Sequence, residues 1–279
     1  MKPILYTSII TLATLSLSSA WADHKDSDVI HFGIVPQQSA IKLARKWTPV
    51  FQYLSQKTGY TIRFKTAPNI PVFEQRLADG RYDVAYMNPY HYTVFGQKPG
   101  YRAFAKQKDK QIKGLIVVHK DNAIQSLQDL SGQDLAFPAP AAFAASVLTR
   151  SKLVDQGIVF QPNYVSSHDS VYRTVAKGLF SAGGGIKRTL ENVDPTIRAQ
   201  LKILWTTHGY TPHAFAAHPA LTTTKVAKLQ QAMVNMHTDP LAQPLLKSLN
   251  FKGIETAQHQ DWNDVRDLQV DKRLGRLIQ

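Results

Sequence analysis

The sequence predicts an α/β protein in which short strands alternate with amphipathic helices. Three observations support this fold class. Short runs of β-branched and other apolar residues recur along the chain. Most are followed by stretches in which apolar residues repeat every three or four positions, which is the period of a helix. Glycine or proline stands at many junctions, and 279 residues are enough for one large domain or two lobes.

The first half of the chain reads as strand, helix, strand, helix, strand. The first predicted strand is rich in β-branched residues and stops at Pro36, and one apolar stripe runs through the next helix from Ile41 to Leu54. Gly59 and Gly80 close the two predicted helices. The predicted elements are strand 29–35, helix 41–58, strand 61–65, helix 70–78 and strand 82–87. This order is typical of parallel strands in an open sheet.

Ligands of open α/β sheets bind beyond the carboxyl ends of the strands. The segments after the first and third predicted strands are therefore candidates for ligand contact. Their polar residues are Gln37, Gln38, Ser39, Asn88, Tyr90 and Tyr92. The two tyrosines offer hydroxyl donors on amphipathic rings, and ordinary packing at a strand end is the alternative interpretation.

A second α/β unit is predicted to begin near residue 117, with the same succession of strand, loop and helix start. The helices are again recognised by apolar stripes and the strands by apolar runs. The predicted elements are strands 113–119 and 134–137, helix 141–155, a strand–helix unit over 163–178, strands 203–205 and 214–217, and helix 222–237.

The first 22 residues have the pattern of a secretory signal. Lys2 is followed by an apolar stretch over residues 4–17, and Ala20-Trp21-Ala22 has the small-x-small pattern of a cleavage site. A membrane anchor is the weaker interpretation, because the apolar run is shorter than the ~20 residues that span a bilayer. The chain has no cysteine to acylate, which excludes a lipoprotein. We therefore expect a periplasmic protein exported with a cleavable signal peptide, residues 1–22.

Composition excludes several classes of function. The net charge is +13, but lysine and arginine are scattered without a block of like charges, so nucleic acid is not an expected partner. An anionic surface, an anionic small ligand and a merely solvated surface remain as interpretations of the charge. The absence of cysteine rules out disulfides, thiol nucleophiles and cysteine metal sites.

Catalytic and metal-binding signatures are absent from the sequence. There is no Gly-x-Ser-x-Gly, no phosphate-binding glycine loop and no His-Glu-x-x-His, and the histidines lack the spacing of metal pairs. The run Gly183-Gly184-Gly185 favours a tight turn at a strand end, with backbone contact to a ligand as the alternative. We expect no enzyme activity, no metal and no cofactor.

Helix starts support an anionic ligand, because free N–H groups and the helix dipole both attract negative charge. Predicted helices begin near Gln38, Ala142 and Asp169, each in a position that ligands of α/β sheets occupy.

A set of short segments, in order from Phe32 to about Leu190, resembles the substrate-binding proteins of phosphate, phosphite and phosphonate ABC importers. Each segment is weak alone, and their order and spacing over more than half of the chain carry the resemblance. The segments are Gly33-Ile34-Val35-Pro36, Trp47-Thr48-Pro49 with Tyr53-Leu54 and Thr58-Gly59, Gly80 with Tyr82-Asp83-Val84-Ala85, Asn88-Pro89 with Tyr92, Leu127-Gln128-Asp129-Leu130-Ser131-Gly132 with Ala136-Phe137, Ser167-His168-Asp169, and Val175 with Gly178.

The resemblance implies the fold of a type II periplasmic binding protein, in which two lobes, each a mixed sheet flanked by helices, trap a ligand in the cleft between them. It implies lobe 1 over 23–116, lobe 2 over 117–211, and a return to lobe 1 over 212–279. It also implies a monomer that hands a small-molecule ligand to an ABC permease. The alternative is a ligand-sensing partner of a membrane-bound kinase or cyclase, without transport.

The chain departs from the family at the ligand loop. The family usually has Asp-Pro-x-Ser-Thr-Ser-Gly before the helix of lobe 2, and this chain has Ala142, Phe143 and Ala144 in place of the three hydroxyl residues. Ser181 replaces an acidic residue that the family uses toward a ligand amino group, while His168 is kept. We therefore expect these five residues to contact a small anionic ligand, in a cleft less hydrophilic than a phosphonate site. The ligand is either phosphonate- or oxyanion-like or an anion with an apolar part.

Overall fold

In the computed structural model, residues 28–275, 277 and 278 are described, so the predicted signal peptide lies outside the described residues. The first sheet has six strands, and residues from both ends of the described chain build it. Their spatial order is β11 (Ile254–Thr256), β4 (Arg102–Gln107), β10 (Ala214–Ala217), β3 (Val84–Met87), β1 (Val29–Ile34) and β2 (Thr61–Lys65). This sheet and its helices are lobe 1.

The second sheet has five strands and is built from the middle of the chain. Their spatial order is β7 (Gln161–Tyr164), β6 (Asp134–Phe137), β8 (Ala182–Ile186), β5 (Gly114–His119) and β9 (Leu201–Thr206). This sheet and its helices are lobe 2. Each sheet contains parallel and antiparallel pairs, so the predicted α/β class with two mixed sheets is confirmed.

Helices cover the sheets. In lobe 1 they are α1 (Ala40–Thr58), α2 (Ile70–Ala78), α3 (Pro89–Phe95), α8 (Thr223–Val234), α9 (Gln243–Ser248), α10 (Asn263–Arg266) and α11 (Val270–Leu274). In lobe 2 a π-helical turn (Phe143–Val147) runs directly into α4 (Leu148–Asp155), followed by α5 (His168–Ala176), α6 (Lys187–Glu191) and α7 (Pro195–Arg198).

An aromatic cluster forms the core of lobe 1. Phe32 of β1 stacks on Phe51 of α1 at 4.7 Å between ring centroids, and Trp47 lies 5.3 Å from Tyr86 of β3. Phe215 of β10 lies 4.6 Å from Tyr86, so the segment that returns from lobe 2 closes the same core. Trp47, Phe51 and Leu54 of the stripe predicted for α1 are buried, whereas Ile41 at its start is exposed.

Residues 108–113 and 207–213 connect the two lobes, and we call them the crossing segments. A single β-bridge between Ile112 and Tyr210 joins them. The resemblance implies that lobe 2 begins at Val117, whereas Val117 lies inside β5, which pairs within lobe 2 from Gly114 onward. The apolar run of β5 therefore belongs to lobe 2. The mostly polar residues before Gly114 form the crossing.

The glycine run in lobe 2 is not a strand-end turn, which corrects the sequence-based interpretation. Residues 183–185 form the middle of β8. A Cβ on Gly183 would overlap Val171 of α5, and one on Gly184 would overlap the carbonyl oxygen of Ala145 in the π-helical turn. The glycines are needed because helix and turn pack directly on the strand from both faces.

Several elements were not predicted, among them β4, α3 and β11. Strand β4 has only three apolar residues in a row, flanked by Arg102, Lys106 and Gln107, and β11 has only three residues in all. Helix α3 starts with a proline and is rich in aromatic residues, which hides the helical period.

We expect Gly184→Ala to destabilise the protein by about 2–3 kcal/mol, because the new methyl group would overlap the backbone of the π-helical turn, which cannot move without unpacking the loop. Urea unfolding followed by circular dichroism measures the loss. Gly253→Ala is the control, since its methyl group would make ordinary contacts at 3.4 Å to His237 and Lys108. Equal stabilities for the two variants would contradict this account of β8.

Candidate functional site

A small cavity lies between the two lobes at the carboxyl ends of β1, β3 and β8 and beside the starts of the π-helical turn and α5. We call it the deep cavity. Its volume is about 10 Å³, which is room for about one water molecule in this arrangement of the lobes. It is lined by Val35, Gln37, Ile70, Asn88, Ile112, Ala142, Phe143, Ala144, Ala145, His168, Ile186 and His213.

Lobe 1 presents two amide side chains to this cavity. Gln37 follows β1, is buried, and lies 3.1 Å through its Nε2 from Nε2 of His213. Asn88 caps the start of α3 by accepting a hydrogen bond from the His91 backbone, and its Nδ2 donates to the carbonyl oxygen of Ala141 across the cleft at 3.0 Å. The segments that follow β1 and β3 thus supply one polar side chain each.

Lobe 2 presents backbone amides and an aromatic ring to the deep cavity. The π-helical turn starts after Ala142, which has no side chain to cap the first amides. These amides lie in the first turn of the longer helix that continues as α4, where N–H groups have no partner inside the helix. Phe143 is buried and packs edge-on against Tyr210 of the second crossing segment, with 5.7 Å between the ring centroids.

His168 is the first residue of α5 and is buried at the wall of the cavity. Its Nδ1 lies 3.2 Å from the hydroxyl of Thr189, which in turn lies 2.7 Å from the hydroxyl of Tyr172. The Ile186 backbone N–H donates to Tyr172 at 3.0 Å. This chain of hydrogen bonds holds the imidazole in place.

Both histidines of the cavity are uncharged at neutral pH. Burial, followed by the nearby charge of Arg188, lowers the pKa of His168 to about 3. Burial and then Arg188, His91 and His168 lower the pKa of His213 well below its ordinary value. A neutral imidazole keeps one N–H donor and one acceptor, so the cavity contains polar groups without a charge of its own.

Direct contacts join the two lobes around the cavity. Arg188 of lobe 2 donates to Oε1 of Gln37 in lobe 1. Lys42 of α1 forms an ion pair with Asp169 of α5 at 2.9 Å. At the far side, Arg273 of α11 pairs with Asp155 of α4 at 2.6 Å. The structure is therefore a closed arrangement of the lobes.

A larger pocket adjoins the deep cavity on the side of the crossing segments, and we call it the basic pocket. Its volume is about 430 Å³, and it shares Ile112, Ile186 and His213 with the deep cavity. Its other lining residues are Tyr86, Gln107, Lys110, Gln111, Lys113, Lys187, Arg188, Glu191, Pro212 and Asn250. No motif in the sequence marks this pocket, and the lysines of residues 108–113 were the available signal.

The structure brings together six of the eleven residues expected to contact a ligand. Gln37, Asn88, His168 and the three loop residues line the deep cavity, and these are Ala142, Phe143 and Ala144. Gln38 and Ser39 are not among the lining residues. Ser39 instead caps α1 by accepting a hydrogen bond from the Lys42 backbone.

Tyr90, Tyr92 and Ser181 are placed away from the cavity, which corrects the expectation for them. The Tyr90 hydroxyl donates to Asp271 at 2.5 Å, and the Tyr92 hydroxyl lies 2.9 Å from Nδ1 of His259. Both tyrosines are in α3, where the helical turn directs them into lobe 1. Ser181 precedes β8 and donates to Gln133, whereas the opposite end of that strand lines the cavity.

Among residues 28–275, 277 and 278, no three His, Asp or Glu side chains are grouped so as to hold a metal ion. In the same part of the chain, no helix is both long and apolar enough to span a bilayer.

Comparisons with known proteins agree with this geometry. The model of a family described as the periplasmic substrate-binding protein of phosphonate ABC transporters matches residues 32–262. The chain is 22% identical over 235 residues to the phosphate-import protein PhnD of Mycolicibacterium smegmatis, which covers 73% of this chain and 70% of that protein.

Two solved structures share the fold. One is a binding-protein component of an ABC phosphonate transporter from Pseudomonas aeruginosa, with a TM-score of 0.81, 19% identity, and coverage of 88% of this chain and 86% of that one. The other is PhnD1 from Prochlorococcus marinus in complex with methylphosphonate, with a TM-score of 0.81, 18% identity, and coverage of 88% and 98%. The predicted two-lobe fold of type II periplasmic binding proteins is confirmed.

We expect acid to destabilise the protein through His168. In the folded state this histidine stays neutral down to a pKa of about 3, whereas the unfolded chain binds a proton near the ordinary value of 6.5. The unfolded state therefore holds more protons within this window, and the free energy of unfolding falls as the pH drops through it, by at most about 1.4 kcal/mol per pH unit.

His168→Asn removes this titration, so its unfolding free energy should fall less steeply between pH 7 and pH 4.5 than that of the wild type. Urea unfolding at several pH values measures both slopes. Identical slopes would contradict the burial of a neutral His168.

Proposed function

The chain belongs to the family of periplasmic phosphonate-binding proteins of ABC transporters, and we propose that it captures a small anionic solute with an apolar part between its two lobes. The relatives in this family are substrate-binding components of transport and not enzymes, and we propose the same for this protein. It acts as a monomer that releases its ligand to a membrane partner.

The observation that carries this proposal is that one cavity is walled by both lobes and both crossing segments. Asn88 comes from lobe 1, His168 from lobe 2, and Ile112 and His213 from the two crossings. A ligand that contacts both lobes binds the closed state better than the open one and shifts the population toward closure. Closure is the change that a membrane partner recognises.

The lining favours an anion, because it contains hydrogen-bond donors and no carboxylate. Donors are the Asn88 amide, the first amides of the π-helical turn and the imidazole of His168. The neutral imidazole of His168 has one N–H donor and one acceptor, and its Nδ1 shares a hydrogen bond with the Thr189 hydroxyl. Arg188 beside the cavity supplies the positive field.

The same lining favours a ligand with an apolar part. Phe143 is accompanied by four aliphatic residues, and hydroxyl groups from the loop are missing. The aliphatic residues are Val35, Ile70, Ile112 and Ile186. Each hydrogen bond to a charged group that this loop does not make costs about 1.5–3 kcal/mol, or roughly tenfold or more in affinity. Inorganic phosphate is therefore a weaker ligand than an apolar phosphonate.

The membrane partner is an ABC permease if the ligand is imported. A membrane-bound kinase or cyclase is the second candidate, because the loop lacks the hydroxyls that tight capture uses. Uptake of radiolabelled phenylphosphonate by cells with and without the gene separates the two: loss of uptake supports import. Unchanged uptake together with a lost transcriptional response supports sensing.

We expect calorimetric titration of the purified protein to give affinities in the order phenylphosphonate, methylphosphonate, phosphate. The shorter side chain of His168→Asn retains a hydrogen-bonding group for Thr189 but loses the second ring nitrogen that faces the ligand. We expect this variant to bind phenylphosphonate about tenfold more weakly. His119→Asn, at a partly exposed histidine outside the cavity, is the control. Micromolar binding of phosphate, or no binding of any of the three anions, would overturn the proposal.

Restoring the hydroxyls tests the loop directly. We expect the triple variant Ala142→Ser, Phe143→Thr and Ala144→Ser to gain at least about tenfold in phosphate affinity, since each hydroxyl that reaches the anion adds a charge-assisted hydrogen bond. Calorimetry measures the gain, and circular dichroism verifies that the variant is folded. A folded triple variant with unchanged phosphate affinity would show that the loop does not contact the anion.

A further inference from the structure

The basic pocket carries a concentration of positive charge that the deep cavity does not have. Its lining holds four cationic side chains and a single acidic one, Glu191. The cations are Lys110 and Lys113 of the first crossing segment and Lys187 and Arg188 of lobe 2. They therefore approach the same space from two parts of the fold.

These charges repel one another in the closed arrangement. Burial, followed by the charge of Arg188, lowers the pKa of Lys110, and Lys187 adds to this effect while Glu191 opposes it. Arg188 also acts on Lys46 of α1, whose pKa is lowered by burial and then by Arg188 and Lys42. A bound anion would relieve this repulsion, since opposite charge favours the protonated form of each lysine.

The remaining walls suit an organic molecule. Ile112, Ile186, Pro212 and the edge of Tyr86 form an apolar side, and three amide side chains accompany them. The amides are Gln107, Gln111 and Asn250. The volume of about 430 Å³ lies within the range of small-molecule sites, about 300–1,000 Å³.

We propose that the basic pocket binds a phosphorylated organic molecule, with its doubly charged phosphate group between Lys110, Lys187 and Arg188 and its organic part on the wall of Ile112 and Pro212. This second site adjoins the deep cavity and is separate from the capture site proposed above. The deep cavity has room for about one water molecule in the closed arrangement, whereas the adjoining pocket accommodates a molecule of this size.

The positions of the cationic side chains in the fold explain how such a ligand would hold the two lobes together. Lys110 belongs to a crossing segment, and Lys187 and Arg188 belong to lobe 2, while Gln107 and Asn250 belong to lobe 1. A dianion held by all of them would bridge the lobes. Charge-assisted hydrogen bonds to phosphate are among the stronger polar contacts in proteins, so they are sufficient to bias the opening equilibrium.

The test is calorimetric titration with AMP, glucose 6-phosphate and pyrophosphate, with adenosine as the uncharged counterpart of AMP. We expect AMP or glucose 6-phosphate to bind, adenosine not to bind, and affinity to fall with salt. In the double variant Lys110→Gln, Lys187→Gln the affinity should fall at least about tenfold. The control Lys65→Gln, Lys177→Gln removes the same charge from exposed positions outside the pocket and should change nothing.

The outcomes separate this proposal from the capture function. Equal affinity of AMP and glucose 6-phosphate for the wild type and the Lys110, Lys187 variant would overturn the pocket assignment. Failure of AMP, glucose 6-phosphate and pyrophosphate to bind would also overturn the pocket assignment. The capture function still stands in that case if phenylphosphonate binds and His168→Asn weakens its binding. If pyrophosphate alone binds, the pocket takes bare anions, and the organic part of the proposal is wrong. Binding of none of these compounds would overturn both proposals.

Discussion

The structure of the site depends on the close approach of the π-helical turn to strands that carry no side chain at the contact. A side chain on Gly114 would overlap the carbonyl oxygen of Ala144, and one on Gly184 would overlap that of Ala145. Because the turn lies directly on these two strands, the residues before it reach the space between the lobes. Phe143 then meets Tyr210 of a crossing segment, which links the turn to the lobe arrangement.

Arg188 connects the two spaces that a ligand can occupy. It donates to Gln37 beside the deep cavity and also lines the basic pocket. Its charge contributes to the lowered pKa of His168 on one side and of Lys110 on the other. The deep cavity therefore stays neutral within a positive field, whereas the basic pocket holds the charge itself, which favours a dianion in the pocket.

Much of the fold was predictable, because long periodic segments depend mainly on local sequence. Helix α1 and strands β1 and β6 have clear apolar patterns, and the rule that ligands lie at the carboxyl ends of strands led to Gln37 and Asn88. The family resemblance led to His168. The rule failed at Tyr90 and Tyr92, because residues after β3 form a helix and not an open loop. Strand β4 was missed because charged and polar residues surround its short apolar run. Its place in the sheet depends on pairing with β10 and β11, which lie far away in the sequence.

The sequence by itself determined the alternation of strands and helices and the excess of positive charge, since composition and short-range periodicity carry these properties. The loss of three hydroxyls from the ligand loop was readable only against the pattern of the family that the sequence resembles. Only the tertiary structure decided where that charge acts. Lys110 and Lys187 are far apart in the chain and meet because the crossing segment passes the end of β8. Such a meeting depends on sheet pairing and lobe closure, and no local pattern encodes it.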